Sequence, residues 1–230
     1  MAFTAHCSIP FDVPPFQLSG VVYGTLLNQR AVVEALGASI ALPPYNAAPW
    51  APVLFIKPRN TLALSGDRVR IPAAEGEVEV GASLGVVVGR VACQIARDQA
   101  LGYVAGYLVV NDVSLPHSNY YRPSIRFKAR DGFCPLGPAV TPRRAIANPD
   151  ALSIRTYVDG VLVQTSSTDT LVRPVAQLLS DVTEFMTLAP GDVLMVGVAA
   201  RPPRVRPGQS VSIEIDGLAT LTNAFVSECV

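Results

Sequence analysis

The chain has 230 residues, half of them hydrophobic, with 18 basic and 18 acidic side chains, so it can bury one large core and carries no net charge. That balance excludes the basic footprint of a nucleic-acid or anionic-membrane binder, and no run approaches the roughly 18 apolar residues needed to span a bilayer. Twenty prolines and seventeen glycines favour a β-rich fold over a helical bundle, and four scattered cysteines with no CxxC pair suggest neither a zinc knuckle nor a disulfide framework.

In chain order, residues 1–20 are Pro-rich and are expected as an irregular arm ahead of a single domain, 21–230. The first ten residues lack the basic region and apolar core of a signal sequence, and a reducing cytoplasm fits the cysteine usage. Val21–Leu27 is a short strand. Asn28–Leu36 is a helix, with Asn28 as its cap and Gly37 as a left-handed stop. A Pro-rich connection leads to a strand at Val53–Ile56. Arg68–Ile71 alternates as an edge strand. Glu75, Glu77 and Glu79 share one face if extended, most simply a solvated strand edge. The unbroken apolar run Gly81–Arg90 is a central strand, and Arg97–Gly106 is expected to be helical.

Leu108–Val110 is a buried strand ending in Asn111-Asp112. The following loop holds His117, Asn119, two tyrosines and Arg122, and leads into the charge-dense Arg126-Phe127-Lys128-Ala129-Arg130-Asp131. A carboxylate at a strand end followed by loop cations is one way to build a site for an anionic small molecule. The same residues also fit a solvated loop with a structural ion pair, in which Lys128 meets Asp112 or Asp131 and His117 is simply exposed. Further on, Leu152–Val158 and Val161–Thr165 flank the turn pair Asp159-Gly160 as a hairpin. Pro174–Met186 is the strongest helix, with Val175, Leu178, Leu179, Val182, Phe185 and Met186 on one face. Strands are expected at Val193–Val198, Ser210–Ile215 and Leu218–Val226. The whole reads as a β-rich α+β domain with a few helices packed on sheets.

Three separated stretches, Phe55–Thr61, Asn111–Pro138 and Phe185–Val193, resemble the fumarylacetoacetate hydrolase superfamily, over about residues 20–228. Within it they are similar to the amino-terminal half, or separate subunit, of isomerase/decarboxylases of 4-hydroxyphenylacetate (homoprotocatechuate) degradation. The resemblance implies a mixed β-sandwich roll, usually dimeric. It implies decarboxylation of 5-oxopent-3-ene-1,2,5-tricarboxylate and isomerisation of 2-hydroxyhepta-2,4-diene-1,7-dioate, through an enolate stabilised by Mg²⁺ or Mn²⁺. The expected partners are a small di- or tricarboxylate and either a second copy or a metal-complete sister subunit, not nucleic acid or a membrane.

By the same resemblance Asp112 is a metal ligand and Lys128 contacts the substrate or its enolate. Gln164 and Thr168 line the pocket, and Arg122 and Arg201 supply positive charge for substrate carboxylates. Three features depart from the pattern. Gly81 and Ser83 stand where two metal-binding glutamates belong, leaving Asp112 as the single retained ligand, so no tightly held metal is expected. Glu77 and Glu79 have the right mutual spacing but lie four residues earlier, roughly 13 Å along a strand. Gln29 and Val32 replace a segment that carries a histidine base. Val196-Gly197-Val198-Ala199 replaces the carboxylate-binding Thr-Gly-Thr-Pro. The residues leave open a working subunit that relies on Lys128 and arginines, a catalytically degenerate partner of an active sister chain, and a small-anion binding protein.

Overall fold

The computed structural model describes residues 9–117, 122 and 124–228. In chain order its strands are β1 (Val22–Leu26), β2 (Val53–Lys57), β3 (Leu62–Leu64), β4 (Arg68–Ile71), β5 (Val78–Glu79), β6 (Ala82–Val88), β7 (Val104–Asn111) and β8 (Cys134–Leu136). They continue as β9 (Thr141–Pro142), β10 (Ser153–Val158), β11 (Val161–Ser167), β12 (Val193–Met195), β13 (Arg204–Val205), β14 (Ser210–Ile215) and β15 (Leu221–Ser227). The α-helices are α1 (Arg30–Leu36), α2 (Ile125–Lys128) and α3 (Val175–Phe185).

The larger sheet runs β2-β1-β12-β6-β7-β8-β3, with β9 added to β7. It is mixed: β1 pairs with β12 and β3 with β8 in parallel, whereas β6 and β7 are antiparallel. A second sheet runs β11-β10-β14-β15-β4, and a small ribbon joins β5 to β13. This is the expected β-rich α+β architecture. No helix of the described residues is long and apolar enough to cross a membrane.

The burial of β6 on both faces explains its unbroken apolar run. Leu84, Val86 and Val88 of β6, with Tyr107 and Val109 of β7, join one core with the inward residues of β10 and β14 and with α3. Val87, Leu108 and Val110 face the other way, onto a second cluster that includes Ile9 and Phe11. The amino-terminal segment is therefore irregular from residue 9 to 20 but anchored in the core by those two side chains. At the β10–β11 hairpin, Asp159 and Gly160 take φ of 50° and 79°, as the turn chemistry requires.

Four local expectations are corrected. Arg97–Tyr103 forms 3₁₀ turns, and β7 begins at Val104, because pairing with β6 claims the residues up to Asn111. Asn28 does not cap α1. Its amide donates to the Arg173 and Val196 carbonyls and accepts from Arg173 N–H, so it ties β1 to two distant segments. Gly37 has the expected positive φ of 49°, but its ψ of −133° is not that of a left-handed cap. Phe185 is 61% exposed and lies off the buried stripe of α3.

One close approach shapes the region of interest. Gly24 of β1 lies opposite Phe55 of β2, and a β-carbon there would sit 2.0 Å from the Phe55 ring. That ring in turn lies under the Lys128 ammonium, 4.7 Å from its centroid. Gly24→Ala is expected to displace the ring and lower stability by about 1–3 kcal/mol, as overpacking does. Urea midpoints of the two proteins would check this, and coincident midpoints would refute it.

Candidate functional site

β7 delivers Asn111 and Asp112 to the end of the larger sheet. The Asn111 side chain accepts the Gly81 N–H at 3.1 Å, and Asp112 N–H donates to the Gly81 carbonyl at 2.8 Å. Two residues further, Ser114 and Glu79 exchange backbone bonds of 2.8 and 3.0 Å. Side chains two residues apart on a strand share a face, so Glu79 lies on the side of Asp112. Lys128 arrives from the last position of α2 and Lys57 from the last position of β2.

These chains converge on a buried charge cluster. Lys57 is 0% exposed, Asp112 4% and Lys128 5%. Lys128 Nζ donates to Asp112 Oδ2 at 2.5 Å, and Lys57 Nζ lies 2.8 Å from Oδ1. Lys57 also donates to the carbonyls of Val113, Lys128 and Phe133 at 2.7, 2.9 and 2.7 Å. An ammonium has three N–H bonds, and these carbonyls take all of them. Asp112 Oδ1 therefore receives charge from Lys57 but no proton. Burial alone would raise the Asp112 carboxyl, yet the Lys128 and Lys57 ammoniums outweigh it and hold it below the usual aspartate range. Burial pulls Lys57 below the usual lysine range, and Asp112 offsets only part of that.

A cavity of about 330 Å³ opens beside this cluster. Its walls are Thr25 to Leu27, the inner face of α1, the Glu79, Gly81, Asp112 and Ser114 edge, His117, Lys128 and the loop Val198–Pro202. Thr25 is 3% exposed, and its hydroxyl has no hydrogen-bond partner among the described residues. His117 is half-buried rather than exposed: its ring stacks on Phe127 at 5.0 Å, and Nδ1 lies 2.9 Å from the Leu115 carbonyl. A carbonyl only accepts, so Nδ1 carries the proton. Burial lowers its imidazole below the usual range, partly offset by that bond. Burial lifts the Glu79 carboxyl above the usual glutamate range, with Arg204 pulling against it from 3.8 Å.

The structure thus brings Asp112, Lys128 and Arg201 onto one cavity. Gln164 and Thr168 are elsewhere. The Gln164 amide holds the carbonyls of Ala200 and Arg201, and the Thr168 hydroxyl accepts the Leu152 N–H. Gln164 therefore positions the Arg201 loop, whose Arg201 has a φ of 56°. Arg122 is exposed, and Asn119 and the two tyrosines lie outside the described residues. Asp131 accepts from Asn60, not Lys128. Glu77 and Arg204 form a surface pair at 2.7 Å. The distance expected from strand rise put Glu79 away from Asp112, but its pairing with Ser114 sets it on the same cavity. Sequence reasoning also missed Lys57 and Thr25. A lysine closing the apolar run Val53–Ile56 was the available signal for the first; the second had none.

The donor set does not fit a divalent ion. A β-carbon on Gly81 would meet the Val198 methyls at 2.8 and 2.9 Å and the Asp112 carbonyl oxygen at 3.0 Å, so Val198 fills the place of a carboxylate arm. The Ser83 hydroxyl is turned to backbone, donating to the Leu84 carbonyl and accepting the Gly197 N–H. Both Asp112 oxygens already face ammonium groups. Among the described residues no three His, Cys, Asp or Glu side chains cluster as metal ligands. Val32 lines the cavity from α1, where the resemblance would put a histidine base.

The sequence profile of the fumarylacetoacetate hydrolase C-terminal family matches residues 21–226. The chain is 38% identical over 211 residues to the 4-hydroxyphenylacetate degradation bifunctional isomerase/decarboxylase of Escherichia coli, covering 92% of this chain and 48% of that protein. A homologue from Salmonella dublin is 40% identical with the same coverage, so the chain spans about half the length of the curated relatives it matches. Among solved structures, 5-carboxymethyl-2-hydroxymuconate delta-isomerase from Mycobacterium smegmatis superposes with a TM-score of 0.79 at 30% identity, over 93% of this chain and 81% of that one. Fumarylpyruvate hydrolase from Pseudomonas aeruginosa, solved with Mn²⁺ and pyruvate, gives 0.83 at 26% identity over 99% of both chains.

Proposed function

This chain belongs to the fumarylacetoacetate hydrolase family, and we propose that it is the metal-free half of a two-part isomerase/decarboxylase of aromatic catabolism, paired with a sister half that carries the divalent ion. In this reading its cavity holds a small oxo di- or tricarboxylate of the 5-oxopent-3-ene-1,2,5-tricarboxylate and 2-hydroxyhepta-2,4-diene-1,7-dioate class. The observation that carries it is the Val198 side chain seated against Gly81, where a metal-binding carboxylate would need room. The 38% identity to a bifunctional isomerase/decarboxylase supports the reaction class.

The cavity suits an anion. Lys128 gives one N–H to Asp112 and has two more for a bound carboxylate or oxo group. Arg201, in the loop Val198–Pro202 on the same cavity, carries a planar guanidinium suited to a carboxylate. Asp112 keeps Lys128 aimed, while Lys57 holds the loops on either side in register. Loss of CO₂ from an oxo acid needs a strong electron sink, which this reading assigns to the ion of the sister half.

The test is CO₂ release from 5-oxopent-3-ene-1,2,5-tricarboxylate by the purified chain, with and without added Mn²⁺, and again after adding the metal-complete half. Release is expected only in the mixture. Mn²⁺-dependent release by the chain alone would overturn the reading.

A further inference from the structure

We propose that Glu79 is the acid–base residue of this cavity, moving a proton to and from the carbon beside the oxo group of a bound oxo dicarboxylate, without a metal ion. The inference rests on the dicarboxylate cavity proposed above and adds an activity to it. It follows from what surrounds each group able to hold a proton. Asp112 is clamped between two ammoniums, which makes it a poor base. The His117 ring is stacked on Phe127, and its Nδ1 proton is committed to the Leu115 carbonyl. Glu79 faces the same space, held by its backbone to Ser114, with its carboxylate touched only by Arg204 Nε at 3.8 Å among the described residues. The Arg204 guanidinium makes its short bond to Glu77 instead, at 2.7 Å. Lys128 and Arg201 line the same cavity, which suits it to an anionic ligand.

The step is balanced within the site. The Glu79 carboxylate takes a proton from the carbon adjacent to the oxo group. The C–H electron pair becomes the new C=C bond, and the C=O π pair moves onto oxygen, where a Lys128 N–H meets the developing charge. Glu79, now neutral, returns the proton to carbon or exchanges it with solvent. Nothing is oxidised or reduced, and no group leaves. Partial burial makes Glu79 a stronger base than a solvated glutamate, against the pull of Arg204.

The experiment follows hydrogen–deuterium exchange at C3 of 2-oxoadipate in D₂O by NMR, using the full chain with EDTA, alongside a binding titration of the same probe. Wild type is expected to exchange the C3 protons well above background, and Glu79→Gln about 100-fold more slowly with binding unchanged within a few-fold. Glu79→Asp, which keeps the charge but shortens the arm, should fall between them. The rate should rise with pH through a value above the ordinary glutamate range. Burial sets it first, modified by Arg204 on β13, Lys128 on α2, Glu77 just before β5 and Asp112 after β7. Exchange that survives Glu79→Gln overturns the proposal. So does binding without exchange in wild type, which leaves the dicarboxylate cavity standing. A chain that does not bind the probe removes both.

Discussion

Replacing Lys57 by methionine is expected to destabilise the chain by about 3–5 kcal/mol, the range for removing one partner of a buried ion pair. The change keeps much of the side-chain volume and removes the ammonium. The carbonyls of Val113, Lys128 and Phe133 then lose their donor, and Asp112 Oδ1 loses the charge beside it. Buried acceptors stripped of partners carry the full desolvation penalty, about 1–3 kcal/mol each before relaxation. Those three carbonyls bracket both the Asp112 turn and the Lys128 helix, so the variant should also loosen the cavity wall. Urea unfolding at neutral pH measures the effect, and a loss under about 1 kcal/mol would show that Lys57 is not the keystone inferred here.

Asp112→Asn should be comparably costly, about 3–5 kcal/mol at neutral pH, because it leaves the Lys57 and Lys128 ammoniums buried without their shared carboxylate. Its pH dependence has a definite sign. The folded Asp112 carboxyl is held below its unfolded value of about 3.9, so its contribution is fully present above that value. It is lost as pH falls through the depressed folded value. Wild type should therefore lose stability on acidification below about pH 4, and Asp112→Asn should lack that part of the loss. The gap between the two proteins narrows in acid. Urea midpoints at neutral, mildly acidic and strongly acidic pH would reveal it; a gap that is constant or widens would contradict the assignment. Lys57 acts in the same direction, over a more alkaline range. Its lowered folded value means stability rises with pH between that value and the unfolded one near 10.4.

What could be read from the chain was local. The apolar run of β6, the Asp159-Gly160 turn and the α3 stripe each carry their signal within a few residues, and each formed nearly as written. The Asp112–Lys128 pair was within reach because both residues lie in one motif, 16 positions apart. Lys57 is 71 positions from the Lys128 carbonyl it holds, and nothing in one sequence declares that pairing. Glu79 was misplaced because strand rise measures distance along one strand, whereas the bridge to Ser114 folds it back across the sheet edge. Asn28 looked like a helix cap because its type and place fit one. Three long-range backbone bonds, to Arg173 twice and Val196, outcompeted that role. The missing metal glutamates were plain in the sequence, but only the structure shows Val198 filling the space beside Gly81.

The central claim is that Asp112 serves two lysines and not a divalent ion. The free-ion EPR signal of Mn²⁺, titrated against the purified chain, tests it most directly. The signal should remain undiminished by wild type and by Asp112→Asn alike. Uptake of one equivalent of Mn²⁺ by wild type, abolished by Asp112→Asn, would contradict it.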